Sequence, residues 1–216
     1  MSFEIHQNIM GVKQVLCFLL LNCLLATAVQ AQILDSFTAT ATVNESIIFS
    51  DDRNTVRDPQ FGWEIGVLAE KQIARNIELS TGLTFSRIRF GLRDVGDSQV
   101  TYLSLPLNVS ALLPFNFYAK TGVKLDIKAD SRDAMVPVVI NGYSGYMGDG
   151  FASASDTYVP GWSIGAGKIF NFRNFRPWIE IKYTQDFNSF SGYDGIINME
   201  KRTRKVSIGI PIWNDR

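Results

Sequence analysis

From about Phe37 onward the chain alternates apolar and polar positions with a period of two, the spacing of a strand that shows one face to each environment. In residues 61–70 the odd positions are Phe61, Trp63, Ile65, Val67 and Ala69, while the even ones are mostly Gly or Glu. Residues 77–86 and 103–111 follow the same rule. Further strands are predicted over 117–127, 158–169, 178–187 and 203–213, with a less regular first strand over 37–49. No stretch keeps helical spacing against its own Gly and Pro content. The pattern therefore predicts an all-β chain of about eight antiparallel strands.

Connections alternate in length. Residues 71–76, 114–116 and 171–176 read as short turns, whereas 50–60, 91–98, 129–156 and 188–202 are long and rich in Gly, Asp, Ser and Asn. Short turns on one rim and long loops on the other are the layout of a transmembrane up-and-down barrel with periplasmic turns, and an even strand count puts both chain ends on the turn side. The Gly-Tyr segment 141–150 falls in the longest loop and reads as an adaptable surface. It lacks the Lys-Ser/Thr ending that a phosphate loop requires.

Alternation alone does not say which face is inside. The polar face carries Gly62, Gly66, Gly82, Gly122, Gly161, Gly165, Gly167 and Gly209, small residues suited to a narrow lumen and poor choices for a solvated strand. Aromatics gather at two levels: Phe115, Phe117, Phe170, Phe172, Phe175, Trp178 and Trp213 near the short turns, and Phe61, Trp63, Phe85, Trp162 and Phe187 toward the loops. Two girdles at the membrane boundaries are the expected result. Leu79, Leu83, Leu105, Leu107, Val123, Leu125, Ile164, Ile179, Ile181, Ile208 and Ile210 share one parity and are assigned to lipid. The opposite parity sends Glu64, Glu78, Lys120, Lys124, Asp126, Glu180, Lys182 and Lys205 into the lumen. There Glu78 and Glu180 are expected near Lys120 or Lys182, and Glu64 and Asp126 near Lys124 or another basic group. An eight-strand barrel is only wide enough for side chains to fill, so these charges are expected to form a plug.

Ahead of the strands, Lys13 precedes an apolar run from Val15 to Ala26 and the small-residue stretch ending at Ala31. Residues 1–31 thus read as a cleaved secretory signal, with residues 32–216 as the barrel domain. Cleavage after Ala28 is the alternative to Ala31, and Met10 is an alternative start. The run is shorter than the roughly 20 apolar residues a spanning helix needs. Cys17, Cys23 and His6, the chain's only cysteines and histidine, all lie in this segment. Removing it takes away disulfides, thiolate metal sites and any histidine-dependent catalysis. Charge is balanced at 21 basic against 21 acidic residues, which argues against a nucleic-acid partner.

Trp63-Glu64-Ile65-Gly66-Val67-Leu68-Ala69-Glu70, followed by a short turn and Leu79 to Arg87, resembles the second and third strands of the PorT-like small outer-membrane barrels of Bacteroidota. Tyr102-Leu103-Ser104-Leu105-Pro106-Leu107, leading into Tyr118-Ala119-Lys120-Thr121-Gly122, is similar to that family's most recognisable segment. Gly161 to Gly167 with Trp178 to Tyr183 is similar to its later hairpin. The resemblance covers most of residues 32–216 and implies residence in the cell outer membrane, without a common activity. The chain departs from the usual aromatic barrel ending, because Trp213 is followed by Asn214-Asp215-Arg216.

Membrane-barrel enzymes such as lipid A deacylases, palmitoyl transferases, phospholipases and omptin proteases resemble one another in using a histidine. The expectation is therefore a non-enzymatic chain with no catalytic residues, no cofactor and no metal. Asp94, Asp97, Asp130 and Asp133 lack ordered ligand spacing for calcium. The expected role is structural or interactive, through surface loops that contact lipopolysaccharide, other cells, or an envelope or secretion assembly. A gated pore or small-solute transporter is the alternative. Expected partners are outer-membrane lipid and lipopolysaccharide, the barrel-assembly machinery during biogenesis, and an envelope protein reached through the loops.

Overall fold

A computed structural model describes residues 34–49, 55–92, 96–133, 135–140, 143–148, 152–153, 155–173, 175–187 and 200–214. The segment assigned to the signal, 1–31, lies outside the described residues. The strands are β1 (Ser36–Phe49), β2 (Thr55–Ala74), β3 (Ile77–Leu92), β4 (Gly96–Leu112), β5 (Phe117–Arg132), β6 (Met135–Ile140), β7 (Tyr143–Gly148), β8 (Tyr158–Ile169), β9 (Trp178–Asp186) and β10 (Glu200–Asn214). Eight of them form a closed antiparallel barrel in the order β1-β10-β9-β8-β5-β4-β3-β2. β1 closes it against β10, with Ser36 opposite Asn214 and Phe49 opposite Glu200. Both ends of the described barrel therefore lie on the rim of the short turns.

Two differences from the expected layout concern the loop rim. Residues 129–156 are not one open loop: β5 continues to Arg132, and β6 pairs with β7 as a separate two-stranded hairpin, Met135 opposite Gly148 and Ile140 opposite Tyr143. The Val-Ile content of β6 supports this pairing, and the Gly-Tyr content of the partner had masked it. β2, β3 and β4 also run past the apolar stretches that signalled them, because the backbone ladder continues where the lipid-facing side chains give way to polar ones. The turn at Pro114–Asn116 places Phe115 and Asn116 in the left-handed region, at φ 60° and 63°. Asn takes this conformation readily, whereas Phe115 is strained there.

The polarity of the wall is inverted relative to a soluble protein. Val123, Ile164, Ile179, Ile208 and Ile210 are exposed, and Ile181 keeps 68% of its surface. Leu107 and Leu125 are exposed as well, and Leu79, Leu83 and Leu105 are half-buried. Inward positions are instead Thr, Ser, Asn, Glu and Lys: along β1 these are Ser36, Thr38, Thr40, Thr42, Asn44 and Ser46, all buried. Their hydroxyls bond across the strands, Thr42 Oγ1 donating to Ser207 Oγ at 2.9 Å and Ser46 Oγ lying 2.8 Å from Thr203 Oγ1. Cross-strand aromatic pairs mark the outer face, with Phe37 and Trp213 at 5.8 Å, Trp63 and Phe85 at 5.9 Å, and Trp162 and Tyr183 at 5.6 Å between ring centroids.

Candidate functional site: the charged lumen

Starting from the turn rim, the first layer of the lumen is aromatic. Trp178 of β9, expected in the outer girdle, is 8% exposed and points inward against Tyr118 of β5, edge to face at 6.3 Å. Room for the indole comes from Gly209 opposite it, where any Cβ would overlap the ring, and Gly167 makes room for Tyr118 in the same way. Beside them Glu70 accepts hydrogen bonds from Ser36 Oγ at 2.8 Å and Thr38 Oγ1 at 3.0 Å. Glu78 faces the same space, of about 60 Å³, together with Lys120 and Arg176.

The next layers are ion pairs. Glu180 accepts from Lys120 at 2.7 Å and from Tyr118 Oη at 3.1 Å, with Lys182 3.6 Å away on its other oxygen. Lys120 also lies over the Tyr118 and Trp178 rings, at 5.1 and 4.9 Å from their centroids. Glu64 pairs with Lys205 across the β1 strand. Above them, Lys124, Asp126, Asp186 and Lys201 form a closed quartet. Lys124 contacts Asp126 and reaches Asp186 at 2.7 Å, while Lys201 reaches Asp186 at 2.7 Å and Asp126 at 3.5 Å.

Both Asp186 and Lys201 are fully buried. At the loop end the lumen turns apolar. Ile48, Ile88, Phe90, Val100, Tyr102 and Val159 pack together with Ala152, which enters from the segment before β8. Lys201 sits 4.1 Å above the Tyr102 ring. Ala152 is held in place by its neighbours: Ser155 Oγ donates to its carbonyl at 2.8 Å, Lys128 Nζ donates to the Ser153 and Ser155 carbonyls, and the Ser153 amide donates to Asp133 at 3.0 Å.

Of the eight sequence-assigned lumen residues, Glu64, Lys120, Lys124, Asp126, Glu180 and Lys205 are buried and in contact as described, and Glu78 and Lys182 are half-buried. Glu180 meets both Lys120 and Lys182. Glu78 opens onto the turn-end space that Lys120 and Glu70 also line. Sequence reasoning missed Glu70, Asp186 and Lys201, although their parity matches that of Glu64, Glu180 and Lys205 on the same strands. Lys201 fell inside a stretch read as loop. Of the acids weighed for calcium, Asp97 pairs with Arg89 at 3.9 Å and Asp133 accepts from Ser153, while Asp94 lies outside the described residues.

Such an arrangement neutralises charge and fills space. A further void of about 30 Å³ lies at the waist between Glu64, Lys124 and Lys182, polar enough to hold water. Breaking any of the buried pairs leaves an uncompensated charge, which costs about 3–5 kcal/mol.

No family model matches the chain, and no curated protein is similar to it in sequence. The PorT-like resemblance therefore gains no support beyond the coarser one to small eight-strand outer-membrane barrels. Among solved structures, Neisserial surface protein A is similar at 10% identity with a TM-score of 0.47, over 81% of this chain and 96% of that one. The attachment invasion locus protein Ail of Yersinia pestis is similar at 12% identity and a TM-score of 0.43, over 83% and 100%. The outer-membrane enzyme PagL is similar at 11% identity and a TM-score of 0.42, over 79% and 99%. This last likeness corrects the expectation that the chain is not an enzyme. Small barrels of this kind include a catalyst, and a fold does not decide the chemistry grafted on it. At that identity it assigns no activity either.

Proposed function

We propose that the chain is an outer-membrane barrel with a structural or interaction role, its lumen closed by its own side chains and its loop rim meeting lipopolysaccharide, other cells or an envelope or secretion assembly. Supporting the membrane placement is the inverted wall, since an exposed belt of Val, Leu and Ile around a closed sheet is stable only against lipid. What carries the reading is the lumen itself. An aromatic layer, an ion-pair ladder and an apolar cap follow one another along its length, and two of the spaces between their side chains measure only about 60 and 30 Å³. Charges placed for transport need room for a solute or a file of water, and here each layer consumes that room.

Planar-bilayer recording on refolded protein tests this. Single barrels should be electrically silent, with conductance appearing only after Lys120→Ala plus Glu180→Ala removes the lower ion pair and Ala152→Asp disrupts the cap. Steady, ion-selective conductance from the unmodified protein would contradict the reading and support a pore.

A further inference from the structure

Outward-facing arginines on the loop side of the wall mostly have carboxylate partners. Arg204 lies 3.8 Å from Glu45, Arg202 3.1 Å from Glu200, and Arg89 3.9 Å from Asp97. Arg87 of β3 differs. Its neighbours Ser86 and Ile88 point into the lumen, so Arg87 itself points out with Phe85. Its guanidinium lies over the Trp63 ring at 5.5 Å, and its Nε is buried with no hydrogen-bond partner. Among the described residues no acid forms an ion pair with it. The acid in register, Asp130 of β5, is two strands away across Thr101, about 10 Å by strand spacing.

Trp63, Phe61 and Phe85 put this guanidinium at the level of an aromatic girdle, above the Leu83 and Leu105 positions of the wall. A charge there faces the zone where acyl chains end and headgroup phosphates begin. The ring attracts the cation to this level of the wall, and a guanidinium offers N–H donors suited to a tetrahedral oxyanion. Resting on the membrane placement proposed above, we infer that Arg87, stacked on Trp63, is a binding site for the phosphate of an acyl lipid in the outer leaflet. Leu83 and Phe85 supply the surface on which its chains lie, and Arg89, two residues further toward the loops on the same face, borders the headgroup.

The test uses full-length protein purified from membranes in detergent and native mass spectrometry with three probes: phosphatidic acid, the diacylglycerol of the same chains, and inorganic phosphate. Phosphatidic acid should remain bound, and diacylglycerol and inorganic phosphate should not. Arg87→Gln should lower phosphatidic acid retention about tenfold, Arg87→Lys by less, and Arg204→Gln not at all. Equal retention of phosphatidic acid and diacylglycerol by the unmodified protein overturns the inference, as does undiminished retention by folded Arg87→Gln. Binding of inorganic phosphate alone would assign the site to a free anion and overturn the lipid. Heat-modifiable gel migration, read on the same samples, reports the barrel separately. A compact, membrane-extracted barrel without lipid preference contradicts only this site, whereas recovery of the unmodified protein outside the membrane contradicts the placement on which it rests.

Discussion

At the scale of single residues, the ion pairs of the lumen contribute by being complete rather than by being charged. Glu64 and Lys205 face each other with both side chains buried. Glu64→Leu alone should therefore destabilise by about 3–5 kcal/mol, and adding Lys205→Met should recover most of that loss, since a well-packed apolar pair replaces a desolvated ionic one. Urea titration of refolded variants, followed by the change in gel mobility on heating, measures both. A double variant no more stable than the single would show that the pair does more than neutralise itself. Trp178 makes the complementary case. Its inward turn depends on the void at Gly209, so Gly209→Val should overpack the turn-end layer and cost about 1–3 kcal/mol, with Trp178→Ala in the same chain relieving the clash. The parity of Glu64, Lys120, Lys124, Asp126, Glu180 and Lys205 was legible because a strand has a period of two. Trp178 shares the parity of Glu180 and Lys182, and its inward direction was legible in the same way; its aromatic character, which suits either a girdle or a plug, placed it in the girdle instead.

Whole strands were easier to recognise than their ends. Each apolar half-face announced a strand, but β2 and β4 extend beyond theirs into polar sequence, and Lys201 was lost to a supposed loop for that reason. Shear, which sets the height of each residue, cannot be read from one strand. Hence the approach of Glu70 and Arg176 to the space that Glu78 and Lys120 line was not foreseen. Among the described residues the β6–β7 hairpin pairs only with itself and stands outside the closed barrel order. Replacing residues 135–148 with a short Gly-Ser linker should leave folding and heat-modifiable mobility unchanged while removing any contact that this part of the rim makes with a partner. Loss of assembly would show that the hairpin supports the wall. On the barrel strands the opposite holds, and Leu107→Arg or Ile181→Arg should cost about 2–4 kcal/mol if the residue lies near the bilayer midplane. Wild-type stability of both in lipid would mean that the exposed apolar face does not meet acyl chains.

The described barrel is a closed sheet turned inside out, greasy where it is exposed and charged where it is buried, with side chains layered along its lumen from the aromatic layer at the turns to the apolar cap at the loops. Everything proposed for it, from silence in a bilayer to a lipid phosphate on Arg87, depends on that inversion holding in a real membrane. Site-directed spin labelling along β9 addresses it most directly. With Cys17 and Cys23 replaced by serine, single cysteines at Ile179, Glu180, Ile181 and Thr184 would carry nitroxides in protein reconstituted into liposomes. Collision with lipid-soluble oxygen should be high at residues 179 and 181 and low at 180 and 184, repeating every second residue. Uniform accessibility along the strand, or a pattern with 180 and 184 facing the lipid, would contradict the account.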